Sequence, residues 1–319
     1  MDFKQLRALL IVAETGSVTR AAELLNLVQP AVSRQLRMLE EDVGVVLFRR
    51  GRQGMELTGD GRTLVEYARR ALDQLDRARA ELKPDDGLLG GIVSVGLLPS
   101  VCDLLSSRLV KAVSQEQPGI RIRIVMGYAG HLQQWLSSGE VDLALLYDPA
   151  TSPDLMVRPL LEESLWVVGL KDSGLDSQTP VHIADLANHP LILPGASHGL
   201  RSLVEHACAA QSVRLNVVAE TNSMTVQKSL VLGGHGWTIL PSIAIVDDVE
   251  SCKLAAAPFS EPPLQRKIVL ATPAKLTKTA PTTCVEAALV ACMKHSVQHG
   301  DWPATRWLDG QDNPIASSC

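Results

Sequence analysis

Six cysteines, Cys102, Cys208, Cys252, Cys284, Cys292 and Cys319, lie far apart in the 319-residue chain, and no two of them form a CxxC pair. The spacing offers neither a zinc site nor a disulfide framework, and buried free thiols are the plain reading. No apolar run reaches bilayer length. No early stretch joins a charged start, an unbroken apolar run and a small-residue cleavage site, so a cytoplasmic protein with no membrane partner is expected. A GxSxG elbow, a P-loop and a dinucleotide fingerprint are all missing, which removes the sequence grounds for an enzyme or a bound cofactor. A basic surplus is missing too: the formal net charge is -5. Indiscriminate coating of nucleic acid is thereby opposed, although a local basic patch can hide inside an acidic total.

What is present is ordinary globular material, with 46% hydrophobic and 20% charged residues. Such a length suggests two or three domains, each with its own core. Residues 4–15, "KQLRALLIVAET", carry apolar side chains at helical spacing, and Gly16 stands where a helix stops. Ser17 is placed to cap a second helix, "VTRAAELL", whose Ala21 and Ala22 allow another helix to approach closely. Asn26 breaks it, and a third helix runs from about Gln29 to Asp42, ending before Gly44. Two helices joined by a tight turn make a helix-turn-helix candidate.

At ~100° per residue, Val32, Leu36 and Leu39 share one side of the third helix, while Pro30, Ser33, Arg34 and Arg37 share the other. The second face offers hydroxyl and guanidinium donors and no acid. Arginine can fork onto guanine edges or phosphates, and Ser33 and Gln29 can read base edges, as a helix in the major groove must. "LFRRGRQGMELT" then reads as a short hairpin with Arg49, Arg50 and Arg52 around its glycines, a wing able to straddle the flanking backbone. A solvated basic face on a three-helix bundle is the bland alternative.

The segment from "SVTRAAELLNLVQPAVSRQL" through "LFRRGRQGMELTGDG" resembles the N-terminal signature of LysR-type transcriptional regulators, without a gap over about the first sixty residues. The resemblance rests on Ala21-Ala22, on Gln29 to Ser33, on Leu39-Glu40, on Leu47-Phe48-Arg49 and on Leu57-Thr58. It implies a winged helix-turn-helix followed by a long linker helix. Gln29, Pro30, Ser33 and Arg34 would contact DNA, with the wing arginines on phosphates.

Asp60 to Leu82 reads as one long helix. Leu64, Ala68, Ala71, Leu75, Ala78 and Leu82 alternate in steps of four and three, the seam of a coiled coil, so a homodimer or homotetramer is expected. The alternative is a helix lying on its own effector domain, which calls for a wider apolar stripe. Two DNA modules on one dimer imply double-stranded promoter DNA with two-fold symmetry, and RNA polymerase is a further candidate partner. "KPDDGLLGG" supplies a hinge.

From Gly91 the texture is α/β: "GIVSVGLL", "GIRIRIVMG", "EVDLALLYD", "LEESLWVVGL", "PLILPGA", "VRLNVVAET", "GWTILP" and "LQRKIVLATP" read as strands with helices between them. In such sheets ligands sit beyond strand carboxyl ends, against helix N-termini whose amides attract anions. Four junctions qualify: Ser100 with Val101, Tyr128 with Ala129, Asn222 to Met224 through Ser223, and Ser197 with His198 leading to Arg201. Ser100 and Ser223 have the alternative role of helix caps, and Arg201 that of a partner for Glu205 one turn on. His198 and His235 read as loop residues rather than metal ligands, and Cys208 as a peroxide sensor lacks a resolving partner nearby.

This layout is similar to the periplasmic-binding-protein-like effector domain of the same family, and details such as "YDP", "LILP" and "AETNS" look nearest to its nitrogen-assimilation-control branch. The resemblance implies a small-molecule effector, and the helix N-termini suggest a small organic acid or other anion. The expected limits are 1–58 for the winged helix-turn-helix, 59–83 for the linker helix, 84–90 for the hinge and 91–297 for the effector-binding domain. Its subdomain I takes 91–161 and 268–297, subdomain II takes 162–267, and 298–319 reads as a flexible tail. A periplasmic solute-binding protein would fit the α/β half alone, but the basic N-terminal module opposes it.

One departure from the family generates a test. Where the family places Ser or Thr, this chain has Val28, so the third helix lacks a side-chain cap normally worth ~1 kcal/mol. In the absence of DNA, Val28→Ser is expected to slow amide exchange in the first turn of that helix; equal protection in the two proteins would refute it.

Overall fold

The computed structural model describes residues 1–51, 54–82, 89–147, 152–196, 198–260, 263–275 and 278–308, with the backbone alone described at 73 and 76–82. The chain divides into two compact units between Gly91 and Ile92. The first contains α1 (Phe3–Thr15), α2 (Val18–Leu24), α3 (Gln29–Val43), β1 (Phe48–Gly51), β2 (Gly54–Leu57) and α4 (Gly59–Leu82).

Local signals set the ends of these elements. Asp2 accepts from the amides of Lys4 and Gln5 to open α1, and Gly16 closes it in the left-handed region. Ser17 accepts from the Arg20 amide to open α2. Helix α3 starts after Val28 with no side-chain cap, and Gly44 ends it. Leu9, Val12, Ala21, Val32 and Leu39 are completely buried in the common core.

The wing is fixed by two contacts to the helices. Glu40 Oε1 accepts from the amides of Leu47, at 2.7 Å, and Phe48, at 3.3 Å. The Met55 amide donates to the Gly16 carbonyl at 2.8 Å. That approach requires glycine next door: Gly54 has φ +126°, and a Cβ there would lie 2.4 Å from the Gly16 oxygen.

The expected seam on α4 needs correction at its N-terminal end. Ala68 is buried in the core of the first unit, and Leu64, Val65 and Leu72 pack against that core. These four form a wider stripe than a coiled-coil seam, because α4 covers the apolar face of α1. Ala71 and Leu75 remain exposed, while the side chains of Ala78 and Leu82 lie outside the described residues.

The second unit contains β3 (Gly91–Leu97), α5 (Pro99–Glu116), β4 (Ile120–Met126), α6 (Ala129–Ser138), β5 (Leu143–Tyr147) and β6 (Leu155–Leu170). It continues with β7 (Pro190–Leu193), α7 (Gly199–Ala210), β8 (Asn216–Glu220), α8 (Met224–Leu232), β9 (Trp237–Pro241) and α9 (Val246–Glu250). Strands β10 (Leu254–Pro258) and β11 (Gln265–Pro273), helix α10 (Ala280–Gln298) and strand β12 (Thr305–Trp307) complete it. Strand order is β4-β3-β5-β11-β6-β9-β7-β8, with β10 and β12 also on β6. The long β6 pairs with β11 along Leu155–Ser164 and with β9 along Leu165–Val168, so one strand serves two lobes of an α/β domain.

Strand β10, "LAAAP", was not legible, since alanine has little strand preference and only its pairing with β6 makes it a strand. The reading of 298–319 as a flexible tail is corrected for its first part. Trp302 is among the largest fully buried side chains, and Thr305–Trp307 pairs antiparallel with Leu161–Glu163 of β6. An indole that removes this much apolar area from water anchors the backbone around it. Residues 309–319 lie outside the described residues, as do 83–88, which hold most of the expected hinge. No helix among the described residues is long and apolar enough to cross a membrane.

Candidate nucleic-acid interface and ligand pocket

The two faces of α3 separate as the periodicity demands. Val32, Leu36 and Leu39 are buried, Gln29, Pro30, Arg34 and Arg37 are exposed, and Ser33 is half-buried. Gln29 Nε2 donates to Ser33 Oγ at 3.5 Å, so these two reach the same part of the helix surface. On the wing, Arg49 sits opposite Glu56 across β1 and β2, with Nε 3.6 Å from Oε2. Both partners are well exposed, and such a pair holds Arg49 only weakly. Consecutive strand residues point to opposite faces, so Arg49 and Arg50 do not serve the same side of the wing. Arg52 lies outside the described residues.

In the second unit the N-termini of α5, α6, α7 and α8 converge on a small pocket that is open to solvent on one side. Of the sequence candidates, Ser100, Tyr128, His198, Asn222 and Met224 line it. Ser100 is not a cap: Leu98 holds that position on α5, and Ser100 Oγ lies 2.5 Å from the Tyr147 hydroxyl. Tyr128 meets the His198 ring edge to face at 5.3 Å, and Asn222 Oδ1 accepts from the Gly195 amide at 3.0 Å.

Four candidates do something else. Val101 is completely buried in the core. Ala129 begins α6 and does not line the pocket. Ser223 caps α8 by accepting from the Val226 amide. Arg201 donates to Glu205 at 2.6 Å, to Glu220 at 3.0 Å and to the Pro194 carbonyl at 3.2 Å, which keeps its charge away from the pocket. Ser197 lies outside the described residues. Cys208 is buried, and its thiol is pushed up first by burial and then by Glu205, the opposite of a reactive thiolate. Among the described residues no cluster of His, Cys, Asp or Glu is assembled that could hold a metal ion.

Sequence reasoning missed Tyr147, Gln227 and Arg266, because none of them sits at a strand-to-helix junction: Tyr147 ends β5, Gln227 lies within α8 and Arg266 lies near the start of β11. Arg266 on β11 is 6% exposed at its side chain and pairs with the completely buried Glu163 on β6. Its Nε donates to Glu163 Oε1 at 2.7 Å, and Nη2 makes a charge contact with the same oxygen at 2.6 Å. Trp302 Nε1 donates to Glu163 Oε2 at 3.1 Å. The guanidinium carbon lies 3.5 Å from the centre of the Tyr147 ring, a cation–π contact. An exposed pair at i, i+4 can be guessed from sequence; a pair 103 residues apart cannot.

Electrostatics follow from this burial. The Tyr147 phenol is pushed up to about 12 by burial, with Arg266 pulling the other way. Burial, and after it Arg266, lowers the His198 pKa, so that ring is neutral at pH 7. The phenol bonded to Ser100 Oγ holds its own proton at neutral pH and is no general base for that serine. The folded protein keeps the Tyr147 proton up to about pH 12, whereas an unfolded chain releases it near 10.0. Raising the pH through that window therefore favours unfolding, by about 2 kcal/mol at its upper end. Urea unfolding of Tyr147→Phe is expected to lose less stability than the parent between pH 10 and 12; identical alkaline slopes would contradict the burial argument.

Comparison with known proteins agrees with both halves. Residues 3–62 match the family model described as a bacterial regulatory helix-turn-helix protein of the lysR family, and residues 86–292 match that of the LysR substrate binding domain. The transcriptional regulator BbuR of Bordetella bronchiseptica is 30% identical over 303 residues, covering 95% of this chain and 93% of the relative. The nitrogen assimilation regulatory protein nac of Klebsiella aerogenes is 29% identical over 245 residues, covering 76% and 79%. Among solved structures, full-length CbnR complexed with its target DNA superposes with a TM-score of 0.71 at 23% identity, covering 93% of this chain and 100% of that one, and supports the fold. The chain belongs to the LysR family of transcriptional regulators: it is a regulator with a DNA-binding and an effector-binding domain, not an enzyme.

Proposed function

We propose that this regulator binds a two-fold symmetric promoter site through Gln29, Pro30, Ser33, Arg34 and Arg37, with Arg49, Arg50 and Arg52 on flanking phosphates. The exposure of Arg34 and Arg37 on the face of α3 opposite its packed side, with no acid in the helix before Glu40, supports this. It acts as a homodimer or homotetramer in the cytoplasm, with RNA polymerase as a further partner. Ala71 and Leu75, exposed on α4, are the seam residues open to a second copy, and the same spacing continues in the sequence at Ala78 and Leu82. The limits are those of the sequence reading, 1–58, 59–83, 84–90 and 91–297, with the tail shortened at its start by Trp302.

The effector is a small organic acid or other anion held in the pocket by Ser100, Tyr128, His198, Asn222 and Met224. One observation carries this reading: four helix N-termini meet at the pocket, and among the described lining residues the single cationic side chain is Arg266, with Glu163 as its counter-ion behind the pocket wall. Binding draws the lobes together and alters the spacing of the DNA modules.

Two measurements test the proposal. Promoter affinity is expected to fall steeply with salt, and Arg34→Ala to cost about 1–3 kcal/mol with relaxed base preference. An Arg34→Ala protein that binds its promoter as the parent does refutes the recognition face. For the pocket, thermal unfolding of the full chain is followed against small organic acids, sulfate, phosphate and neutral metabolites. A true effector at a hundred times its dissociation constant adds ~2.7 kcal/mol. Ser100→Ala is expected to diminish that rise, and a class of neutral ligands stabilising in place of the acids would overturn the anion assignment.

A further inference from the structure

The C-terminal segment that follows α10 crosses the domain rather than trailing from it. Arg108 on α5 donates to Asp301 at 2.8 Å, Ser242 after β9 donates to the Pro303 carbonyl at 2.6 Å, and the Ser164 amide donates to Ala304 at 3.0 Å. Both lobes thus hold the segment, and at its middle stands Trp302, 1% exposed. Burial alone asks only for an apolar side chain of this size. The indole instead directs its N–H at a carboxylate.

That carboxylate is Glu163, which has no exposed surface. A fully buried acid is tolerated only when paired and hydrogen-bonded. Oε1 is taken by Arg266 and Oε2 by Trp302, one oxygen each. With Oε2 held, the carboxylate cannot rotate, and Arg266 stays over the Tyr147 ring at the pocket wall. Trp302 itself does not line the pocket. We propose that the segment Asp301–Leu308 belongs to the effector site, with Trp302 as the positioning residue that fixes Glu163 and, through it, the pocket guanidinium of Arg266.

The inference rests on reading this pocket as the effector site, and its test needs no ligand. His198 is the reporter. It receives the charge of Arg266 from β11, the edge of the Tyr128 ring from the start of α6 and the Leu200 amide on its own helix. In the full-length protein, Trp302 is replaced by benzothienylalanine, which keeps the bicyclic shape and puts sulfur where the N–H was. Trp302→Phe and Arg266→Gln are made beside it. NMR then follows the His198 titration and the exchange of the Arg266 Nε proton. The replaced protein is expected to exchange that proton about tenfold faster and to titrate His198 at higher pH than the parent, in the direction of Arg266→Gln. Should Trp302→Phe fail to fold, the benzothienyl protein decides. Unchanged exchange and an unchanged His198 titration in it would overturn the proposal and leave Trp302 as packing alone. A moved titration together with a ligand panel that stabilises nothing would uphold the positioning and count against the effector reading.

Discussion

The second unit is organised around one buried carboxylate. Glu163 and Arg266 face each other across antiparallel β6 and β11, so their side chains share one side of the sheet. Removing both charges from water is costly, and the pair persists because every strong acceptor has a donor. The same β6 that carries Glu163 also carries the pairings of both lobes. Register errors there would misplace the ion pair, the cation–π contact on Tyr147 and the docking of β12 together. A polar interaction thus specifies an arrangement that apolar packing alone would leave loose.

The first unit uses charge in the opposite way. Its core is made mostly from small and aliphatic side chains of α1 to α4 with Phe48 of the wing, and the arginines of α3 are left in water, where an incoming phosphate or base edge meets little competition. Glu40, near the end of the same helix, is turned to the wing amides of Leu47 and Phe48. In doing so it fixes the hairpin and keeps its negative charge occupied. Tight backbone contact between Met55 and Gly16 then places the wing without any side chain.

What could be read without coordinates had local causes. Gly16, Ser17 and Gly44 punctuate helices through backbone geometry and capping, which act within a few residues. The division of α3 into a packed and an offered face follows from helical periodicity alone, and the alternation of strands with helices marked the α/β half. Where the reading of the pocket came close, at Ser100, Tyr128, His198, Asn222 and Met224, it relied on strand-to-helix junctions, which sequence does display.

It erred where a choice depended on what lay opposite. Leu64 and Ala68 fit a seam or a core equally well, and only the position of α1 decides. Arg201 is as suited to a ligand as to Glu205 and Glu220, and proximity to the acids settles its partner. Tail residues with two tryptophans look solvent-exposed until β6 supplies a strand to pair with and Glu163 an acceptor. Sequence by itself determined the family, the domain types and the division of α3 into a packed and an exposed face, because periodicity and caps are properties of neighbouring residues. Tertiary structure alone decided the pocket's charge and its Trp302–Glu163–Arg266 support, because those contacts join residues more than a hundred positions apart.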